Sequence, residues 1–329
     1  MKPGSLVALT GGTGFVGSHV AEALLRAGYR VRALVRRPAA PGWLKGMDVE
    51  VVEGDVRNPG PLAALVAGAD AVVHVAGKTS ARSEAEYLAA NAGGTANLAA
   101  ATLAGAPDAH FVLISSQAAA GPSEDGVPVH ASRPGRPVSA YGRSKLAGEE
   151  AVRRAPGLSF TILRPCAVYG PREAAIKDLF VAAAKGIVPV LAGGRPRIQL
   201  VFVSDLTLSV VAALGRPGRG ETFFVAHPEA LDYRAIAETL AGLPPKRPFL
   251  LPVPALLIRA AGFAAGALSG LGSGPPVFNS EKANEMLQEA WLCDVTDAQA
   301  ALGQPFTTPF SEGARLTFDW YRQAGWLPA

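Results

Sequence analysis

The sequence predicts an α/β protein: a doubly wound parallel sheet with a smaller, mostly helical C-terminal portion. Three observations predict it. Short apolar runs alternate with helical segments through the first half of the chain. A glycine loop, Gly11-Gly12-Thr13-Gly14-Phe15-Val16-Gly17, follows the first apolar run and opens the first helical segment. After Gly170 the alternation loosens into helical stretches separated by proline-rich connections. At 329 residues the chain exceeds what one core usually serves, so one large domain with a smaller appendage is expected.

The run Leu6 to Leu9 suits a strand covered on both faces of a parallel sheet. Residues 15–27 carry a helical pattern that Gly28 stops. Strands are expected at Val31–Val35, Val49–Val52 (followed by Asp55), Ala71–Val75, 110–115 and 159–163. Helices are expected at 60–67, about 85–104 and about 140–155. Beyond Gly170, residues 173–185 and 204–214 look helical, 188–191 extended, and Phe223–Val225 a strand. Residues 1–170 are expected to form the dinucleotide-binding domain, with 198–227 returning to it. Residues 171–197 and 228–329 would hold the substrate.

A hydrophobic fraction of 49% with 18% charged residues fits a soluble folded enzyme and excludes disorder. The net charge of +4 is mild and the arginines are scattered, so no nucleic-acid partner is expected. Cys166 and Cys293 lie far apart in sequence, which is neither a disulfide framework nor a metal spacing, and a reducing compartment follows. The histidines show no ligand pattern, so no metal is expected. The N-terminus enters its first strand without a signal-peptide core, which points to a cytoplasmic location. Residues 249–271 have the length to span a membrane, but Pro252, Pro254, Arg259 and glycines interrupt them. A packed helix of the smaller portion is expected there; a helix bordering an apolar substrate cleft or lying on a membrane surface is the alternative.

The glycine loop lets the backbone approach a pyrophosphate whose charge the following helix N-terminus stabilises. Gly11, Gly14, Phe15, Val16 and Gly17 are the residues assigned to it. The second strand ends Val35-Arg36-Arg37-Pro38, without the acid that would favour a free ribose 2′-hydroxyl. NADP(H) is therefore expected rather than NAD(H), with Arg36 as the main 2′-phosphate partner and Arg37 secondary. Tyr141 and Lys145 stand four residues apart and share a helical face, a spacing that suits proton transfer by a phenol beside an ammonium.

These motifs, with Asp55-Val56, His74-Val75-Ala76-Gly77, Ser115-Ser116, Tyr141-Gly-Arg-Ser-Lys145 and Arg164-Pro165-Cys-Ala-Val168-Tyr-Gly-Pro171, resemble in order the extended short-chain dehydrogenase/reductase superfamily and its NAD-dependent epimerase/dehydratase family. The resemblance implies a Rossmann-type fold and a Ser/Tyr/Lys triad. Tyr141 would be the general acid/base. Lys145 would lower its pKa and bind the nicotinamide ribose. Ser116, five residues before Gly121, is preferred over Ser115 as the hydroxyl that orients the substrate oxygen. It also implies that Asp55 and Val56 contact adenine, that Ala76 and Gly77 lie beside the nicotinamide ribose and phosphates, that Asn91 supports the site, and that Pro165 and Val168 turn against the nicotinamide. His74 is read as a buried strand histidine.

Within that superfamily, dehydratases commonly carry an Asp-Glu pair after the catalytic hydroxyl, where this chain has Gln117-Ala118. Nucleotide-sugar 4-epimerases usually end the second strand with an acid and carry an Asn in the segment matching Arg164–Pro171; this chain has neither. The chain is most similar to the branch of dihydroflavonol reductase and 3β-hydroxysteroid dehydrogenase. The expected reaction is hydride transfer between NADP(H) and a ketone or secondary alcohol of a small, apolar substrate. The alternatives are a 4-epimerase and a non-catalytic NADP(H)-binding sensor or scaffold. A homodimer through helices 89–104 and 140–155 is a further expectation from the resemblance.

Overall fold

The computed structural model describes all residues except 217, 219, 269–277, 304–305 and 329. In chain order its elements begin β1 Leu6–Thr10, α1 Phe15–Arg26, β2 Arg30–Val35, β3 Val49–Glu53, α2 Gly60–Val66 and β4 Ala71–His74. They continue α3 Glu84–Tyr87, α4 Gly94–Gly105, β5 His110–Ile114, α5 Gln117–Ala120, α6 Ala140–Arg153, β6 Phe160–Pro165 and β7 Ala167–Tyr169. Then come α7 Lys177–Ala184, β8 Ile187–Leu191, β9 Arg197–Phe202, α8 Val203–Ala213, β10 Glu221–Val225, β11 Ala230–Asp232 and α9 Tyr233–Ala241. The last are β12 Phe249–Val253, α10 Ala255–Leu268, α11 Ser280–Met286, β13 Ala290–Trp291, α12 Thr296–Leu302 and α13 Phe310–Gln323.

Seven strands form one parallel sheet in the order β10-β6-β5-β4-β1-β2-β3. Strand alternation divides the apolar side chains between two cores. Val7, Leu9, Val73 and Val112 pack beneath α1, α8 and α12 through Val20, Leu24, Leu206, Val210 and Ala298. Ala8, Val72, Phe111 and Ile162 pack on the other face against Leu62 and Leu65 of α2, Leu98 of α4 and Val152 of α6. The order reverses at β1 and β4, and in open parallel sheets that switch point, at the carboxyl ends of the strands, is where ligands bind.

The C-terminal portion holds more strand than its composition suggested. Strands β7, β9, β11 and β13 make a second sheet, and β8 pairs with β12 in a third. Each is only two to six residues long, too short for a periodic pattern to announce it. Its core gathers Tyr169, Phe180, Val188, Val190, Leu240, Phe310 and Tyr321. Of the segment 198–227, α8 and β10 pack in the large sheet's layers, while β9 belongs to the second sheet.

Three helical expectations meet departures. The helix expected over 85–104 is divided by a π-helical turn at Leu88–Gly93. The helix expected from 173 starts at Lys177. The run 249–271 begins as strand β12, continues as α10, and is largely exposed rather than packed; its residues 269–271 lie outside the described residues.

Candidate active site

The glycine loop joins β1 to α1. Gly11 adopts φ +75°, and a Cβ there would lie 2.6 Å from the Ala76 nitrogen, so the loop passes directly over the end of β4. A Cβ on Gly17 would sit 2.1 Å from the Gly11 carbonyl oxygen, so α1 starts hard against the loop. Gly14 is the N-cap of α1 and offers no side-chain cap, and the first turn carries no acid. The N–H groups of that turn are left for an anion, which the helix dipole also favours. This cradle fits a dinucleotide pyrophosphate, with Gly11, Gly14, Phe15, Val16 and Gly17 as its walls.

Arg36 and Arg37 are exposed directly after β2. The Arg57 guanidinium grips Asp55 at 2.8–2.9 Å and holds its carboxyl down at about 2, with Arg36 adding to the effect from nearby. Arg36, Arg57 and Asp55 therefore share one corner, and Arg57 is a cation there that sequence reasoning missed. Its only signal was its position two residues after Asp55. Val56 is buried, its carbonyl accepting from Asn97 at 3.1 Å while Gly94 of α4 packs against its side chain.

Helix α6 delivers the Tyr141/Lys145 pair. Ser139 caps it, accepting from the Gly142 N–H at 3.1 Å. The half-buried Tyr141 phenol faces Ser116. Burial pushes the phenol up to about 12, and the Ser116 contact opposes this only in part. Ser116 caps α5, accepting from the Ala118 N–H at 3.1 Å, which leaves its own proton free to donate. The neighbouring Ser115 is spent inside the protein, donating to Glu149 at 2.5 Å. Of the two hydroxyls, Ser115 is committed to Glu149, and Ser116 is the one that faces Tyr141.

Lys145 is buried, and that desolvation lowers its ammonium to about 8. Its Nζ donates to the Ile114 carbonyl at 2.7 Å rather than to Tyr141. The lowering of the phenol expected from Lys145 is not found: burial raises the phenol and only Ser116 opposes it, so Tyr141 is held neutral. Gly77 lies between the groups: a Cβ there would meet Asn91 Oδ1 at 2.9 Å and Lys145 Nζ at 3.8 Å. Asn91 stands in the π-helical turn, accepting from the Lys78 N–H at 2.7 Å and donating to the Lys78 carbonyl and to Ser144 Oγ. A π turn at a functional site is a recurrent feature, and here it aims Asn91 at the segment beside Lys145. His74 accepts its expected role: it is buried between Thr10 and Thr95, and burial lowers it to about 3.

A supporting network was not visible in the sequence. Glu149, one turn beyond Lys145, receives Arg164 through Nε at 2.8 Å and Nη2 at 2.6 Å, both side chains buried. Burial pushes the Glu149 carboxyl up, but Arg164 and Ser115 outweigh it and hold the group ionised. Arg164 thereby ties β6, just before Pro165, to the helix of Tyr141. From the far end of the chain, Glu281 and Glu285 of α11 reach the start of α6, accepting from the Ala140 N–H and from Ser139 Oγ. Two carboxylates at that N-terminus complement the helix dipole. Val168 of β7 pairs with Val201, and after it His19 of α1 bonds the Pro171 carbonyl at 2.9 Å, so the turn after Pro165 closes back onto the cofactor helix. The two cysteines, distant in sequence, meet as buried free thiols 3.2 Å apart. Burial pushes the Cys293 thiol well up. Among the described residues no group of side chains could hold a metal ion.

The switch-point loop and the parallel sheet define the class: a nicotinamide dinucleotide-dependent α/β enzyme. The model of the NAD dependent epimerase/dehydratase family matches residues 7–226. The chain belongs to that family, within the extended short-chain dehydrogenase/reductase superfamily. It is 38% identical to the ceramide reductase of Caulobacter vibrioides over 98% of this chain and 96% of the relative. It is 29% identical to the 4-hydroxy-2-methyl-3-oxo-4-farnesyl-3,4-dihydroquinoline-1-oxide ketoreductase of Stigmatella aurantiaca, over 70% of this chain and 71% of that one. Among solved structures, MoeE5 in complex with UDP-glucose and NAD superposes with a TM-score of 0.76 at 25% identity, covering 98% of this chain and 99% of MoeE5.

Proposed function

We propose that the protein is an NADP(H)-dependent ketoreductase acting on an apolar ketone. The observation that carries this reading is Tyr141, held as a neutral phenol beside Ser116 at the switch point of the sheet. A phenol titrating near 12 is a proton donor at neutral pH, the role that reduction requires. Tyr141 gives its proton to the carbonyl oxygen as the alcohol forms, and solvent returns it. Ser116 donates to the same oxygen and stabilises the charge that develops there. When bound, the nicotinamide supplies the hydride. Lys145 and the Gly77–Asn91 segment hold the ribose side of the site; Pro165 and Val168 back the nicotinamide; Ala76 flanks the phosphates; Asp55 and Val56 border adenine. Arg36, with Arg37, receives the 2′-phosphate. Residues 1–170 with α8 and β10 act as the cofactor domain, with α12 packed beneath its sheet, and most of the remaining C-terminal chain acts as the substrate portion.

The names of the two reductase relatives, one of a ceramide and one of a farnesyl-bearing quinoline, support an apolar substrate. A 4-epimerase is the second reading, favoured by the likeness to MoeE5 with its UDP-glucose and NAD. Following NADPH oxidation with long-chain ketones, and C4 inversion with UDP-glucose, separates them. Ketone-dependent oxidation with no inversion is expected. Inversion of the sugar without net NADPH consumption would overturn the reductase reading.

A further inference from the structure

The arm formed by β8, β12 and α10 turns its apolar surface outward. The two strands pair in parallel with Phe249 level with Ile187 and Leu251 level with Pro189. Val188 and Val190 face the core, so Ile187, Phe249 and Leu251 face solvent. On α10 the inward positions are Ile258 and Gly262, four residues apart. A Cβ on Gly262 would lie 2.7 Å from the Ala283 side chain, so this seam presses α10 onto α11. Leu256 and Phe263 are each 75% exposed, Phe249 66% and Leu257 58%. Of the thirteen exposed large hydrophobic residues among those described, six lie on this arm. Scattered exposed apolar residues are ordinary; a clustered set marks an interaction surface.

The charge around the arm identifies the partner. Residues 239–280 contain no aspartate or glutamate, while Lys246, Arg247 and Arg259 fall within them, and Lys185 precedes β8. All four cations are exposed. We propose that this arm docks on an anionic lipid bilayer, with Leu256, Leu257, Phe263, Phe249 and Leu251 entering the interface and the cations meeting headgroup phosphates. Apolar side chains rimmed by cations of one sign are the composition of helices that lie in a membrane interface. A two-fold contact with a second copy would set the same cations against each other, which opposes self-association. No described helix is long and apolar enough to cross a membrane.

The position of the arm gives the docking a purpose. Helix α10 rests on α11, and α11 holds the start of the Tyr141 helix through Glu281 and Glu285. The apolar surface is one helix layer from the reacting phenol, where a ketone dissolved in lipid could pass to the site. The delivery role rests on the ketoreductase reading; the docking does not.

The test floats the full-length protein with phosphatidylcholine vesicles, with and without phosphatidylglycerol. The expected result is flotation that anionic lipid strengthens and salt weakens. Leu256→Ser/Leu257→Ser/Phe263→Ser should reduce vesicle partition at least tenfold, with an unchanged circular dichroism spectrum and unchanged NADPH affinity. Lys246→Glu/Arg247→Glu/Arg259→Glu should remove the preference for anionic lipid. Absence of flotation, flotation untouched by the triple serine variant, or a light-scattering dimer that this variant splits would overturn the proposal. Vesicle binding by a protein that reduces no ketone would instead overturn the ketoreductase reading and leave the docking surface intact.

Discussion

The cofactor half and the β8–β12–α10 arm use apolar residues in opposite ways. In the first, Val7, Leu9, Val73 and Phe111 are sealed between helices, and the functional groups stand on rigid strand ends and on α6. In the second, residues of the same chemistry face outward, while the inner side is held by Val188, Val190, the Ile258/Gly262 seam and the β8–β12 pairing. The difference teaches that hydrophobicity alone does not locate a core: what decides is whether the topology supplies a partner face. The sheet has helices on both sides; the arm has α7, α9 and α11 on its inner side and, among the described residues, no helix on its outer.

The comparison predicts unequal sensitivity to substitution. The largest effect is expected at Gly17→Val, since any Cβ there meets the Gly11 carbonyl. NADPH affinity should fall by more than roughly a hundredfold because the helix N-terminus and loop lose their common anion site; fluorescence titration reads it, and near-native affinity would break the account of the cradle. Next is Arg164→Met, which leaves Glu149 buried without its main partner. A loss of about 3–5 kcal/mol in urea unfolding is expected, against little change for Leu256→Ser on the arm. Equal losses at both would remove the distinction between the regions.

A smaller effect should follow Arg36→Ala. Losing one charge-assisted phosphate contact should raise the KM for NADPH about tenfold and leave that for NADH unchanged. The smallest concerns acid. His74 titrates near 3 in the folded protein and His110 near 4, both lowered by burial, against about 6.5 when unfolded. Unfolding therefore takes up protons between those values, so the stability from neutral histidines is full above about pH 6.5 and is lost as pH falls toward the folded values. The Tm should drop by a few degrees between pH 6.5 and 4.5, and His74→Gln should flatten part of that slope. An unchanged slope would show that His74 is not a buried neutral histidine.

Much of the cofactor half was legible because its signals are local. Strand β1, the glycine loop and α1 are contiguous, and Tyr141 and Lys145 need only one helical turn to meet. The supporting contacts are not local. Glu281 and Glu285 lie some 140 residues from the helix they stabilise, and Cys166 meets Cys293 across 127. No periodicity carries such pairs. The ion pair of Glu149 with Arg164 was hidden for a different reason: Arg164 stood out only as part of a motif, and nothing in the sequence named Glu149 as its buried partner. The arm was misread because its residues are apolar nearly all round, and that pattern is the same for a packed helix as for one presented to lipid. The π turn at 88–93 left no mark, since it inserts no residue type that a continuous helix would refuse.

In the proposed reaction, Tyr141 passes the proton during ketone reduction. Steady-state NADPH oxidation with an apolar ketone, compared for the wild type and Tyr141→Phe, tests it most directly. The account predicts a fall in kcat of about 10²–10⁴-fold with NADPH affinity nearly unchanged, because the phenol contributes the transferred proton rather than the cradle. A Tyr141→Phe enzyme that keeps a substantial fraction of the wild-type kcat would contradict it.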